Sequence, residues 1–146
     1  GRRLSRYAVR DDGTLGPRQT VTTFGTGFFP DGLAFDAEGH AWVVSIVSNR
    51  ILRVAPDGTQ LPLLEDADAA HVEWVESAFL SGTMGRPHLD RAAGRVLRNI
   101  SSIAFGGPSL RTAFLGCLLD QRLPTFDAPI AGHPPPHWYR QARIFL

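Results

Sequence analysis

The amino-acid sequence predicts an antiparallel all-β protein, built from a repeated four-stranded unit and interrupted by one helical excursion. Three observations carry this reading. Turn signals punctuate the chain at Asp12-Gly13, Gly16-Pro17, Pro30-Asp31-Gly32, Glu38-Gly39, Pro56-Asp57-Gly58 and Gly106-Gly107-Pro108. Short β-rich runs lie between several of them, as expected of antiparallel strands. A segment pattern recurs about 70 residues on. The 15 Gly and 11 Pro in 146 residues make up roughly 18% of the chain, against about 12% on average. That excess supports many turns, while 43% apolar residues leave enough for a core.

Taken in order, Leu4–Val9 alternates apolar and polar residues and reads as a half-buried strand. Leu33-Ala34-Phe35 begins a second strand. Ala41–Ile46 is continuously apolar but for Ser45, the pattern of a strand covered on both faces. Arg50–Val54 follows, then a turn at Pro56-Asp57-Gly58 and a strand at Gln60–Leu64. The repeat aligns Leu33-Ala34-Phe35-Asp36 with Ile103-Ala104-Phe105-Gly106, and Ala41-Trp42-Val43-Val44 with Ala113-Phe114-Leu115-Gly116. Arg50-Ile51-Leu52 is echoed by Arg122-Leu123. Setting aside residues 66–98 as an insertion reduces the period to about 40 residues, the size of a propeller blade. That insertion holds the one convincing helix. Asp66 or Asp68 can cap it, Val72, Val75 and Phe79 recur at helical spacing, and Gly82 sits where a terminating glycine belongs. Asp90–Val96 is read as a short helix or turn.

Composition excludes several functions. All 15 basic residues are Arg, so Schiff-base chemistry and a phosphate-loop lysine are ruled out. The net charge of +1 argues against a nucleic-acid surface, which needs a basic excess with interleaved aromatics. Acidic residues cluster over 57–76 and arginines over 86–98, read as two solvated faces able to pair. No apolar run approaches the ~18 residues that span a membrane. Cys117 is the single cysteine, which excludes an intrachain disulfide, and with no h-region behind the N-terminal arginines a cytoplasmic location is expected.

Phe29-Pro30-Asp31-Gly32-Leu33-Ala34-Phe35-Asp36-Ala37-Glu38-Gly39-His40-Ala41-Trp42-Val43-Val44 resembles the signature of the senescence marker protein/gluconolactonase/LRE-like (regucalcin-like) family. Ser102-Ile103-Ala104-Phe105-Gly106-Gly107-Pro108-Ser109-Leu110-Arg111-Thr112-Ala113-Phe114-Leu115 resembles a later blade of the same family, in the same order. The resemblance implies a six-bladed β-propeller of roughly twice this length, of which residues 1–146 would be the C-terminal half: about three blades, with the helical insertion around 66–98. It also implies hydrolysis of a sugar lactone or related ester with one divalent metal ion. In the family that ion sits at the mouth of the central channel, held by a Glu and an Asn from earlier blades and by the Asp of Pro-Asp-Gly. Only the last maps onto this sequence, as Asp31, which the resemblance makes a metal ligand and catalytic residue. Oxygen ligands favour calcium, magnesium or manganese, and zinc also fits. On residue pattern alone, Asp31-Gly32 is a turn after Pro30.

By the repeat, Ser101 occupies the place of Asp31 and should face the same channel. Asn99, two residues earlier, can reach the mouth. A hydroxyl or amide there can hydrogen-bond a sugar, or cap a strand or loop. No Gly-x-Ser-x-Gly elbow surrounds Ser101, which argues against a nucleophile. His71, in the helix's first turn, is expected to face solvent, and His88 to lie on a surface loop. His133 and His137 are held over ~10 Å apart by a polyproline spacer and should not share an ion. Cys117 is expected to be a buried, inert thiol, and Trp42 a core residue. Trp74, off the apolar stripe, should face a neighbouring blade, a lid or a partner. Pro134–Tyr139 should pack across the propeller's own end or serve as a stiff ligand. The expected partner is a small sugar lactone, with self-association or pairing with the missing N-terminal half. The rival expectation is a catalytically silent half-propeller acting as a binding or assembly module.

Overall fold

A computed structural model of the chain describes residues 1–136 and 138. Its strands form three antiparallel sheets. The first pairs β1 (Arg3–Arg6) with β2 (Gln19–Thr23). The second has the order β3 (Pro30–Phe35), β4 (Ala41–Ser45), β5 (Arg50–Val54), β6 (Gln60–Glu65). The third has β7 (Ile100–Gly106), β8 (Thr112–Cys117), β9 (Thr125–Asp127). Thus the repeated unit has four strands in its first copy and three, among the described residues, in its second. The sequence reading missed β2.

The repeat is visible in the strand register. Leu33, Ala34 and Phe35 pair with Val43, Trp42 and Ala41, and their counterparts Ile103, Ala104 and Phe105 pair with Leu115, Phe114 and Ala113. Both hairpins also carry an irregularity at the same place, between Pro30 and Leu33 and between Ile100 and Ser102. Such bulges re-aim side chains at the start of a strand, and here they fall on Asp31 and Ser101.

Ala41–Asn49 is buried throughout, as the apolar run required. The side chains of β4 alternate between two cores. Trp42 and Val44 face the third sheet, packing with Ile51, Ile100, Ile103 and Leu115. Ala41 and Val43 face the first, packing with Phe24, Phe28 and Val54. Trp42 is fully buried, edge-on to Phe105 (5.0 Å) and stacked with Phe126 (6.2 Å). Each such pair adds about 0.5–1.5 kcal/mol beyond area burial. On β3, by contrast, Leu33 and Phe35 are 43% and 53% exposed, whereas Ile103 is buried.

The strands β3 and β7 run side by side in the same direction. At their starts, Gly32 lies so close that a Cβ there would stand 2.5 Å from the Ser101 carbonyl oxygen and 2.8 Å from the Ser102 Cα. At their far ends, Gly132 pairs with Asp36 and packs on Phe105. The segment reaching Gly132 crosses that far end, where the His133 N–H donates to the Phe35 carbonyl (2.8 Å). His137, Tyr139 and the apolar end Ile144-Phe145-Leu146 lie outside the described residues; Trp138 is exposed.

The insertion joins the end of β6 to the start of β7. Its main helix, α1 (Ala69–Leu80), begins at Asp68, whose side chain accepts from the His71 N–H. It ends at Ser81, with Gly82 at φ +71° beyond, the left-handed turn a glycine permits. A one-turn helix, α2, forms at Arg86–Leu89 rather than at Asp90–Val96, because Pro87 is preset for a first helical turn. No helix among the described residues is long and apolar enough to cross a membrane.

Candidate functional site

Asp31 is exposed at the start of β3, on the end of the molecule that carries the insertion. Its neighbour Gly32 brings β3 against Ser101. Ser101 is half-buried, and its hydroxyl donates to the Gly116 carbonyl oxygen (3.3 Å). The starts of β3 and β7, which carry Asp31 and Ser101, therefore lie side by side. Asn99 reaches the same end but is fully buried, in a left-handed conformation (φ +59°). Its Nδ2 donates to the carbonyls of Leu89 (2.6 Å) and Arg91 (3.2 Å), and its Oδ1 is buried without a hydrogen-bond partner among the described residues. The amide thus anchors the insertion to the first residues of β7.

Two other side chains hold this end in place: Asp66, read from the sequence as a possible helix cap, and Asn49, absent from that reading. Asp66 accepts three successive backbone N–H groups, from Arg95 (3.0 Å), Val96 (2.8 Å) and Leu97 (2.7 Å). Burial pushes its carboxyl up, but those three donors outweigh burial and hold it below the usual carboxylate range. Asn49, fully buried at φ +45°, donates to the Asp66 and Leu97 carbonyls and accepts from the Ile100 N–H (3.1 Å). An Asn tolerates that backbone conformation better than most residues, and the Ser48-Asn49 turn was the one available signal. On α1, Glu76 is ion-paired with Arg2 and accepts the Gly27 N–H (3.0 Å). Arg2's hydrogen bond is the main cause of Glu76's lowered pKa.

The second aspartate of the motif, Asp36, has a different environment. It is fully buried and accepts from Trp42 Nε1 (2.9 Å), Arg53 Nε (2.7 Å), and the N–H groups of Glu38 (2.9 Å) and His40 (3.0 Å). Burial alone would raise its pKa; the Arg53 and Trp42 bonds reverse that and lower it. Asp36 is committed to the fold, while Asp31 is free to meet a ligand.

The histidines depart from expectation. His71 is 3% exposed, and neither ring nitrogen has a partner among the described residues. It faces inward because it lies one turn before Val75, which is fully buried on the same side of α1. Burial, then the positive charge of Arg91, lowers its pKa. His88 lies in α2, with its ring stacked on Trp74 (4.3 Å). Cys117 is half-buried, its thiol pushed up by burial, an unreactive arrangement. Of the acidic and basic clusters, Arg95 approaches Asp66 (3.6 Å), whereas Arg86 pairs locally with Asp90 (2.6 Å).

Among the described residues, no three His, Cys, Asp or Glu side chains are grouped to hold a metal ion. Asp31 can supply one carboxylate, whereas calcium takes 6–8 oxygens.

Residues 1–69 match the family described as the SMP-30/Gluconolactonase/LRE-like region. A 60-residue stretch is 43% identical to a 6-deoxy-6-sulfogluconolactonase of Pseudomonas putida, covering 40% of this chain and 21% of that protein. In fold, the chain is similar to a luciferin-regenerating enzyme (TM-score 0.52, 20% identity) and to a putative gluconolactonase (TM-score 0.55, 18% identity). Both likenesses cover 90% of this chain, which spans 36% and 33% of those structures. The match to the SMP-30/Gluconolactonase/LRE-like region thus covers the segment that contains Asp31 and ends where the insertion begins.

Proposed function

We propose that the chain forms part of a β-propeller hydrolase that opens a sugar lactone, with Asp31 at the mouth of its channel. One observation carries this reading. The exposed carboxylate of the family-matched segment stands at a bulged strand start, beside the equivalent start of the next repeat. In the reaction, a water oxygen bonds to the lactone carbonyl carbon and the ring C–O bond breaks. The water proton passes to the Asp31 carboxylate and on to the departing ring oxygen, giving a hydroxy acid. Ser101 offers a hydroxyl to the sugar. Asp31 is also one ligand of a divalent ion, calcium, magnesium, manganese or zinc, whose remaining ligands come from sequence outside these 146 residues. The uncovered Leu33 and Phe35 on β3 are where the rest of the propeller, or a second copy, packs.

For the full-length protein, the test is turnover of gluconolactone with and without chelator, in the wild type and in Asp31→Ala. Loss in the variant and with chelator is expected; unchanged turnover in Asp31→Ala would remove Asp31 from the mechanism. Calorimetry on residues 1–146 should show weak binding of calcium or zinc or none. Tight stoichiometric binding would overturn the shared-ligand reading. The second reading, a catalytically silent assembly module, is favoured by the lone carboxylate, and predicts that full-length protein is inactive too.

A further inference from the structure

The insertion presents a partly exposed group of aromatic and cationic side chains. Trp74 is 42% exposed on α1, although indoles are usually well covered. His88 stacks on it at 4.3 Å, and the Arg91 guanidinium lies over the indole at 6.0 Å. Arg91 is exposed, and none of the ion pairs among the described residues uses it. The other cations of the insertion differ in this respect: Arg86 pairs with Asp90 and Arg95 approaches Asp66. Only Arg98 is likewise exposed and absent from those pairs. His88 Nδ1 lies 3.1 Å from the Gly85 nitrogen and 3.3 Å from the Gly85 carbonyl oxygen, which holds the ring in place beside the indole.

This group is tied to the strand starts. The Arg91 and Leu89 carbonyls are held by Asn99, two residues before Ser101, and Ser101 touches Gly32 beside Asp31. An apolar ring, a cation and an imidazole together suit a sugar bearing an anionic group. The ring's C–H face packs on the indole, while the guanidinium takes the oxyanion through charge-assisted hydrogen bonds.

We infer that Trp74, His88 and Arg91 form a subsite for the anionic substituent, phosphate or sulfonate, of a sugar held at the Asp31 end. The inference rests on the proposed lactone-binding role of that end and adds the substrate class: an acidic sugar rather than a neutral one. The subsite lies on the insertion, beyond the family-matched segment.

The test is direct binding, followed by the indole N–H signal of Trp74 in ¹⁵N-labelled chain and assigned with Trp74→Phe. The probes are glucose, glucose 6-phosphate, 6-deoxy-6-sulfoglucose and inorganic phosphate. Saturable shifts are expected with either anionic sugar, and the one that binds tighter identifies the substituent. Glucose and phosphate alone should bind at least tenfold more weakly. Arg91→Gln should lower affinity for the anionic sugars roughly tenfold or more, and Arg98→Gln should leave it unchanged. The Trp42 indole signal, from the buried core, checks that each variant is folded. Glucose binding as tightly as its anionic derivatives, an unaltered affinity in folded Arg91→Gln, or no saturable shift with any probe would overturn the inference. The measurement needs neither metal nor turnover, so its failure is distinct from a failure of the Asp31→Ala activity assay.

Discussion

Two aspartates five residues apart, one at the start of β3 and one just past its end, should respond oppositely to removal. Asp36→Ala deletes a fully buried carboxylate that receives bonds from Trp42, Arg53 and two backbone N–H groups. Removing one partner of a buried charge pair costs about 3–5 kcal/mol. Here Arg53 keeps Glu38 (2.6 Å) and His40 (3.0 Å), so its share falls at the low end of that range. The Trp42 indole N–H, on a fully buried side chain, loses its acceptor, and such a group costs about 1–3 kcal/mol. The Glu38 and His40 amides lie at an accessible turn and can turn to water. Together these give a loss of about 4 kcal/mol, equivalent to roughly 10–15 °C in melting temperature for a chain of this size. Asp31→Ala removes an exposed side chain and should stay within about 0.5 kcal/mol. Urea unfolding of both variants, followed by far-UV circular dichroism, measures the contrast. A loss below about 1.5 kcal/mol in Asp36→Ala, or an equal loss in Asp31→Ala, would refute the division of these residues into fold and site.

Acid should weaken the fold in two stages. The pKa of His71 is depressed in the folded state, so the native chain binds fewer protons than the unfolded one, and its contribution is lost as pH falls below about 6.5. The lowered pKa values of Asp36, Asp66 and Glu76 act in the same direction below about 4, with stability falling as pH falls through their folded values. His71→Phe should flatten the first stage in a pH series of urea midpoints and leave the second; an unchanged first stage would show that His71 does not drive it. Gly32→Ala should cost about 1–3 kcal/mol, because its Cβ would press on the backbone of Ser101 and Ser102 and force β3 from β7. A neutral thermal shift would mean that the two strands are not in such close contact. Asp66→Ala should speed hydrogen exchange at the Arg95, Val96 and Leu97 amides but not at Val44, since only the former donate to its carboxylate; equal protection in the variant would contradict that role.

The parts of the fold that were legible in the sequence are those in which local pattern and tertiary surroundings agree. The run Ala41–Ile46 is buried on both faces, so its apolar continuity survives unaltered into the structure. The repeat was legible because the same side chains recur at the same register, Ala41 opposite Phe35 and Ala113 opposite Phe105. The helix announced its own ends through Asp68 and Gly82, both local devices.

What escaped the sequence reading depends on residues far apart in the chain. Asp66 is one of two plausible caps by sequence, and only the return of residues 95–97, some 30 positions later, gives its carboxylate three donors instead. His71 looks like a solvent-facing residue of a first helical turn until the helix is seen lying with Val75 against Phe29, Ile46 and Val47. Asn99 shows the same limit within the candidate site. Its sequence position placed it at the strand start, but the direction of its amide was decided by where Leu89 and Arg91 come to rest. Its consequence is functional: a residue read as a sugar contact instead fixes the loop that carries Arg91. The insertion is therefore joined to the start of β7 by the buried amides of Asn49 and Asn99, beside the strand that carries Asp31.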